Sequence, residues 1–235
     1  MIPLLTLLFL ILVYLSKKLL TKSISYLVHL LGGTQHGTII LWSLIFLPGT
    51  ILHEISHFFF AIFTGAKSGK VEILPEYLDE EFSDEGKRGV ALGYVQTSRL
   101  NPLQGFLVGL APFIVGSIFL IWFSFLLEQF LHQKNYSLLL LFLYLFFTIA
   151  NSFFPSWADI KQTLPFIVIL LIILFAAIIY RYPFNSWNNF PFVDQVTILN
   201  QALLFATSLN LFLVFLIRGI IYLWPKPKKS HYQNR

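Results

Sequence analysis

The chain has 235 residues, of which 57% are hydrophobic and only 11% are charged. Soluble domains carry about 25% charged residues, so the composition excludes an ordinary soluble protein and indicates an integral membrane protein. The net charge is +5. Its basic residues lie mostly in loops and at the C-terminus, which is typical of membrane orientation and anionic lipid rather than nucleic acid. The chain has no cysteine, so any metal must be held by His, Asp or Glu.

Six segments come close to the length of about 20 apolar residues that a membrane-spanning helix needs. They are residues 2–20, 38–64, 102–131, 137–154, 164–180 and 196–224. The first has neither a basic leader nor a small-residue cleavage site, so we expect it to be retained. The fourth and fifth are short enough for a re-entrant segment or a strong tilt. We therefore expect an all-α polytopic membrane protein with about six transmembrane helices in one domain over residues 1–235.

Residues 53–57 read HEISH and lie within the second predicted span. His53 and His57 share one face of a helix because they are four residues apart, and can direct two imidazoles at one metal ion. Glu54 is placed to take a proton from a water molecule on that metal. A charged residue at the centre of a bilayer costs about 2.5–3.5 kcal/mol. The motif therefore indicates a functional site more than a pair of core histidines.

Catalytic zinc usually has three protein ligands and one open position, so HEISH leaves one ligand to be found. Most other candidates are expected on the opposite side of the membrane or in the C-terminal tail: His29, His36, Glu128, His132 and His231. Asp159 is the best remaining group. Asn151 and Pro155 interrupt the helix before it, and irregular backbone at membrane depth is tolerated where it lines a cavity. The Asn151 amide could hold a substrate strand or a tetrahedral oxyanion there.

The combination of HEISH with the later Asn151, Pro155 and Asp159 resembles the site-2 protease family of intramembrane metalloproteases. That family pairs HExxH on one transmembrane helix with an Asn…Pro…Asp segment on a later one, and the resemblance covers about residues 38–160. The glycine that the family usually has after this aspartate is replaced by Ile160. The resemblance implies Zn²⁺ as the cofactor, with these roles: zinc ligands His53, His57 and Asp159, general base Glu54, and substrate positioning by Asn151.

A polar segment, residues 65–101, separates the second and third predicted spans. Six of the eleven acidic residues form one run within it: Glu76, Asp79, Glu80, Glu81, Asp84 and Glu85. Strand-like stretches at 70–74 and 90–97 flank the acidic run, so we expect a β-hairpin with a solvated tip. The acidic spacing does not match an EF-hand calcium site, and a flexible hydrophilic loop is the simpler interpretation. A hairpin also fits the site-2 protease resemblance.

Small residues form one face of the third predicted span, at Gly105, Gly109 and Gly116. Close helix packing is the usual reason for such a face, and a gate for substrate is the alternative. Pro48 and Gly49, one turn before HEISH, predict a kink in the second span.

The orientation follows from Lys and Arg, which accumulate in cytoplasmic loops. With six spans and the N-terminus inside, ten basic residues lie on the cytoplasmic side and five on the other. We therefore expect both termini in the cytoplasm, most simply of a prokaryotic plasma membrane. HEISH and Asp159 then reach a similar depth from the same side.

The expected activity is hydrolysis of a peptide bond in or near a transmembrane segment of a membrane protein or peptide, with no nucleic-acid partner. The edge of the strand at 90–97 could accept an unwound substrate by β-addition. Three alternatives stay open: a catalytically silent, chaperone-like or regulatory metal-binding protein, a metal or proton transporter, and a zinc hydrolase acting on lipid or a small molecule. We see no inverted repeat, which argues against the transporter.

Overall fold

The computed structural model describes residues 2–66, 68–72, 76–77, 90–91, 94–97, 100–179 and 191–224. This part of the chain contains the helices α1 (Ile2–Leu30), α2 (Gln35–Ile45), α3 (Leu47–Phe63), α4 (Pro102–His132), α5 (Tyr136–Ser152), α6 (Trp157–Ile179) and α7 (Val193–Leu223). It also contains the short strands β1 (Ser68–Glu72), β2 (Glu76–Tyr77), β3 (Val90–Ala91) and β4 (Tyr94–Thr97).

Three of these helices, α1, α4 and α7, are long and apolar enough to cross a membrane. The pairs α2–α3 and α5–α6 also pass this test, each taken together, but bend by 75° and 61° at a short break. The described helices are therefore those of a membrane protein with three candidate spans, or five if each bent pair is one span. The prediction of six spans is not confirmed, because its fourth and fifth segments, 137–154 and 164–180, form the single bent pair α5–α6.

The predicted second span, residues 38–64, is broken into α2 and α3 at Phe46. Pro48 lies in the first turn of α3, where its missing N–H costs no hydrogen bond and its fixed φ suits a helix start. The same proline would break a helix that ran through it. Gly49 then allows α3 to touch α5, because a Cβ there would collide with the Thr148 carbonyl.

The small-residue face of α4 is covered by the segment that joins α5 to α6 and by the start of α6. A Cβ at Gly105 would lie 2.8 Å from the Gln162 carbonyl oxygen, and a Cβ at Gly116 would collide with Phe153. The Phe153 ring also stacks on Phe113, with 5.5 Å between ring centroids. The structure therefore shows close helix packing at these glycines, which is the usual reason for a face of small residues. Its effect is to bring the start of α6 against α4.

The helices α1 and α7 form an extensive interface and run in the same direction. Their N-terminal halves, including Val13 and Leu203, share one buried cluster. Their C-terminal halves, including Leu20 and Val214, share a second cluster. A buried hydrogen bond from Asn210 on α7 to Ser16 on α1 lies between the two clusters. This order of contacts fits parallel helices, because antiparallel packing would bring the start of each helix to the end of the other.

The polar segment starts and ends at a connection between α3 and α4. The Gln104 amide donates to the Thr64 carbonyl at 3.0 Å, and Asn101 and Gln104 form a capping box at the start of α4. Between them, β1 pairs antiparallel with β4, and β2 pairs antiparallel with β3. The acidic run beyond β2, residues 79–85, lies outside the described residues, so the predicted hairpin with its solvated tip stays a prediction.

Candidate metal centre

The HEISH motif lies in the middle of α3, and Asp159 lies in the first turn of α6. His57 and Asp159 are each 7% exposed, and the His53 side chain is 11% exposed. The two helices that carry these side chains, α3 and α6, are more than 90 residues apart in sequence. They meet because α5 runs alongside α3 and the break after α5 turns the chain back towards the two histidines.

The three side chains offer one ligand atom each to a common point. The Nε2 atoms of His53 and His57 are 3.2 Å apart. The Asp159 carboxylate lies 3.6 Å from Nε2 of His53 through Oδ2 and 3.2 Å from Nε2 of His57 through Oδ1. A tetrahedral zinc ion with bonds of about 2.0–2.1 Å keeps its ligand atoms about 3.3 Å apart. The three separations therefore fit ligands around one small cation.

The other nitrogen of each imidazole is held by a backbone carbonyl. Nδ1 of His53 lies 2.7 Å from the Ser152 oxygen, and Nδ1 of His57 lies 2.8 Å from the Val108 oxygen. A carbonyl only accepts, so each Nδ1 carries the proton and, in a neutral ring, each Nε2 presents a lone pair. Two such lone pairs at 3.2 Å repel each other unless a proton or a metal cation lies between them. Metal-ligating histidines commonly have this second contact, which fixes the tautomer and the ring orientation.

The Asp159 side chain is oriented by a capping box at the start of α6. The Ser156 backbone N–H donates to Oδ2 of Asp159 at 2.6 Å, and the Asp159 N–H donates to the Ser156 hydroxyl at 3.2 Å. Both bonds satisfy N–H groups that a helix start leaves without partners. The carboxylate is thereby held in one rotamer while it faces the two histidines.

Gly109 on α4 allows Asp159 to approach. A Cβ at Gly109 would lie 2.7 Å from the Asp159 carbonyl oxygen and 2.6 Å from the Thr163 methyl group. A glycine is therefore needed on the neighbouring helix. The residue after the aspartate does not have to be glycine, because Ile160 is 39% exposed and its side chain has room. This explains how the chain accommodates isoleucine where the site-2 protease pattern has glycine.

Glu54 is buried beside the three candidate ligands and is 7% exposed. It lies close enough to His53, His57 and Asp159 for direct electrostatic interaction. Its position one residue after His53 places it on a different side of α3 from the two imidazoles. The carboxylate is therefore a neighbour of the candidate metal position and not a fourth member of the ligand group.

Asn151 is buried at the end of α5, with 1% exposure. Its amide nitrogen donates to the Phe147 carbonyl at 2.9 Å and to Oδ1 of Asn210 at 3.0 Å. These bonds use both of its N–H groups within the helix bundle. The substrate-positioning role expected for Asn151 stays a prediction, and it requires these bonds to open.

His29 and His132 lie apart from this group. Nδ1 of His29 contacts the Gly33 carbonyl at 3.2 Å, and His132 faces Glu128 on the exposed end of α4 at 3.8 Å. Within the part of the chain that the structure describes, His53, His57 and Asp159 are the group of His and acidic residues able to hold a metal ion. This agrees with the exclusion of His29, Glu128 and His132 from the sequence, and the side chains of His36 and His231 lie outside the described part.

Four contributors to the site were not singled out from the sequence as site residues. Gly109 was assigned to helix packing, with a substrate gate as the alternative. The carbonyls of Val108 and Ser152 carry no sequence signal, because every residue has a carbonyl. Ser156 does carry a signal. It stands three residues before Asp159, and a Ser-x-x-Asp pattern at a helix start is typical of a capping box.

Searches for a matching family model, a similar curated protein and a similar solved structure found no match. The resemblance to site-2 proteases therefore stays an expectation from the HEISH motif and the Asn151–Asp159 segment of the sequence. The buried group of His53, His57 and Asp159 could bind a metal ion, and the identity of that ion is part of the proposal below.

We expect the detergent-purified protein to bind about one divalent metal ion per chain, because three ligand atoms converge on one point. His57→Ala and Asp159→Ala should each lose this ion, as measured by plasma emission spectrometry after zinc loading and gel filtration. His132→Ala is the matched control, because His132 is an exposed histidine that pairs only with Glu128. Full zinc content in both ligand variants would contradict the three-residue site.

Gly109→Ala should weaken zinc binding about tenfold, because the new methyl group pushes the Asp159 backbone away from the two histidines. The matched control is Gly219→Ala on α7, where a Cβ meets nothing within 4 Å. Competition with a chromophoric chelator measures the affinity of each variant. Equal affinities in the two alanine variants would show that the close approach at Gly109 does not determine the position of Asp159.

Proposed function

We propose that this chain is a zinc-dependent intramembrane endopeptidase. The observation that carries the proposal is the convergence of Nε2 of His53, Nε2 of His57 and the Asp159 carboxylate, with both Nδ1 atoms held by backbone carbonyls. Two His and one carboxylate form a common ligand set of catalytic zinc and leave an open position for water or substrate. The absence of cysteine removes the thiolate ligands that many structural zinc sites use.

Zinc at this site would supply Lewis-acid polarisation of the scissile carbonyl and make water acidic enough to lose a proton near neutral pH. Glu54, buried beside the ligand group, would be the base that takes a proton from water and returns it to the leaving amine. The low exposure of Glu54 and its neighbours strengthens their electrostatic interactions, because little water screens them. The chain's own contribution is therefore a fixed ligand set and a buried base.

The depth of the site supports a substrate within the membrane. Val108, whose carbonyl holds His57, lies six residues after the start of α4 at Pro102, which corresponds to about 9 Å along the helix. The site thus lies inside the apolar helices but near the end where the polar segment 65–101 connects α3 with α4. A peptide bond near the end of a transmembrane segment reaches this depth after local unwinding, which frees its carbonyl from the helix.

The strands near this end of the helices offer a place for the unwound substrate. β4 uses one edge for β1, and the β-addition expected from the sequence would use its other edge. The resulting backbone hydrogen bonds would replace those that the substrate helix loses when it unwinds. This part of the proposal concerns only hydrogen bonds between the backbone of β4 and the backbone of the substrate.

We also propose that the chain crosses the membrane five times, with each bent pair as one span. Each bent pair, taken together, is long and apolar enough to be one span, and parallel α1 and α7 fit an odd number of crossings. The termini then lie on opposite sides, in place of the arrangement with both termini in the cytoplasm. The arrangement with both termini in the cytoplasm was favoured by ten basic residues on that side against five on the other. In a five-span protein this excess disappears, because four of the ten would lie on the other side: Lys226, Lys228, Lys229 and Arg235.

Glu54→Gln should retain zinc and lose cleavage by at least about 100-fold, because a general base typically contributes 10²–10⁴-fold. The assay uses fluorescence-quenched single-span peptides reconstituted with the purified protein in liposomes. Glu128→Gln is the matched control, with the same change at an exposed site on α4. Cleavage at the wild-type rate by Glu54→Gln would contradict the proposed base. Zinc-loaded wild-type protein that transports metal and cleaves no peptide would favour the transporter.

The five-span arrangement predicts that the C-terminus and the turn between α4 and α5 lie on one side and the N-terminus on the other. The cysteine-free chain allows single cysteines at the two ends and at Gln133 to be tested with a membrane-impermeant maleimide in oriented vesicles. We expect Gln133→Cys to react together with the C-terminal cysteine. Reaction of Gln133→Cys with the N-terminal cysteine instead would indicate three spans and two re-entrant pairs. Termini on the same side would contradict the parallel α1 and α7.

A further inference from the structure

A second buried polar cluster connects three helices next to the candidate metal centre. It consists of Ser16 on α1, Asn151 on α5 and Asn210 on α7, and none of the three is more than 2% exposed. The two asparagine amides form reciprocal hydrogen bonds of 3.0 Å. Asn210 also donates to the Ser16 hydroxyl at 3.0 Å, and Ser16 donates to the Val13 carbonyl at 2.9 Å. We call this cluster the asparagine network.

Every amide N–H of the asparagine network has a partner. Asn151 donates to Asn210 and to the Phe147 carbonyl, and Asn210 donates to Asn151 and Ser16. A buried amide without a partner is costly in an apolar environment, so removal of one member leaves the others unsatisfied. The network therefore holds α5 to α7 and α1 at a defined rotation, which packing of apolar side chains alone determines less sharply.

The last turn of α5 is held from two directions. On one side, Asn151 is bonded to Asn210. On the other, the Ser152 carbonyl accepts a hydrogen bond from Nδ1 of His53 at 2.7 Å, and the Thr148 carbonyl packs against Gly49 of α3. Any rotation of this turn would move the Ser152 carbonyl away from His53. It would also move the start of α6, because only four residues separate α5 from α6.

We propose that Asn210 and Ser16, acting through Asn151, are positioning residues of the metal centre. They fix the last turn of α5, so that the Ser152 carbonyl orients the His53 ring and the α5–α6 break delivers Asp159 to the two histidines. This inference rests on the proposed zinc site. Asn151 then joins helices to one another, which differs from the substrate contact expected from the sequence. The proposal also gives a function to α1 and α7, which lie outside the resemblance to site-2 proteases.

Zinc affinity and cobalt spectra of the detergent-purified protein test this proposal. Asn210→Ala should bind zinc about tenfold more weakly, in the range found for partners of metal ligands, and the visible absorption of bound Co²⁺ should change as His53 turns. The matched control is Asn200→Ala, which removes another buried asparagine of α7 that lies outside the network. Ser16→Ala should have a smaller effect, and Ser16→Ala with Asn210→Ala should equal Asn210→Ala alone, because both act through one network.

A measurement without metal separates this proposal from the zinc site itself. Spin labels on Phe63→Cys and Leu164→Cys, both exposed in the structure at 87% and 52%, report the distance between α3 and α6 by double electron–electron resonance. The cysteine-free chain needs no other change. We expect a narrow distance distribution in the otherwise wild-type chain and in Asn200→Ala, and a broader or shifted one in Asn210→Ala.

The outcomes lead to different conclusions. Weaker zinc binding and a broadened distance in Asn210→Ala, with neither in Asn200→Ala, support the positioning role. Wild-type affinity and distances in Asn210→Ala overturn it, and equal losses in both variants also overturn it, because they indicate general loss of packing. A wild-type chain that binds no zinc overturns the proposed function alone, since the spin-label distances then decide whether the asparagine network fixes the α5–α6 break.

Discussion

The contact of the α5–α6 break with α3 and α4 is the constraint on which the candidate metal centre depends. The carbonyl at the end of α5 holds one imidazole, and a carbonyl of α4 holds the other. The capping box that starts α6 then directs Asp159 to the point where the two Nε2 atoms meet. The capping box is local in sequence, but both imidazole–carbonyl contacts join distant elements, so the ligand group exists only when α3, α4, α5 and α6 are packed together.

Glycine makes these distances possible. A Cβ at Gly49, Gly105, Gly109 or Gly116 would meet backbone or side-chain atoms of the α5–α6 segment at distances that real Cβ atoms do not show. Within a membrane, burial of apolar surface between helices yields little energy, so close approach and hydrogen bonds carry more of the association. The asparagine network and the imidazole–carbonyl bonds are the polar part of this packing, and the four glycines are its steric part.

The ligand group also explains why this part of the chain is polar at all. His53, Glu54, His57 and Asp159 are buried in helices that are otherwise apolar, and each would be costly there without partners. The structure gives each imidazole a carbonyl partner and gives Asp159 a backbone N–H. The two Nε2 atoms face each other and the Asp159 carboxylate, and a metal cation at their common point would satisfy all three groups.

Elimination of other candidate ligands singled out Asp159 from the sequence, and its position beside the two histidines is a finding of the structure. Apart from that, the sequence by itself determined the membrane class, the bend near Pro48 and the two histidines on one helical face. These follow from composition, from proline chemistry and from the four-residue spacing of HEISH, all of which are local properties. The number of spans did not follow, because apolar length alone cannot distinguish two spans from one span bent at a break such as Pro155.

Only the tertiary structure decided the parallel packing of α1 with α7, the carbonyls that hold the imidazoles and the pairing of Asn151 with Asn210. An asparagine in an apolar helix shows that a partner is needed but not which residue supplies it. The partner depends on how the helices are rotated against each other. The hydrogen-bonded residues are 59 and 194 positions apart in sequence. Rotation of this kind is set by packing over the whole interface, and no short stretch of sequence encodes it.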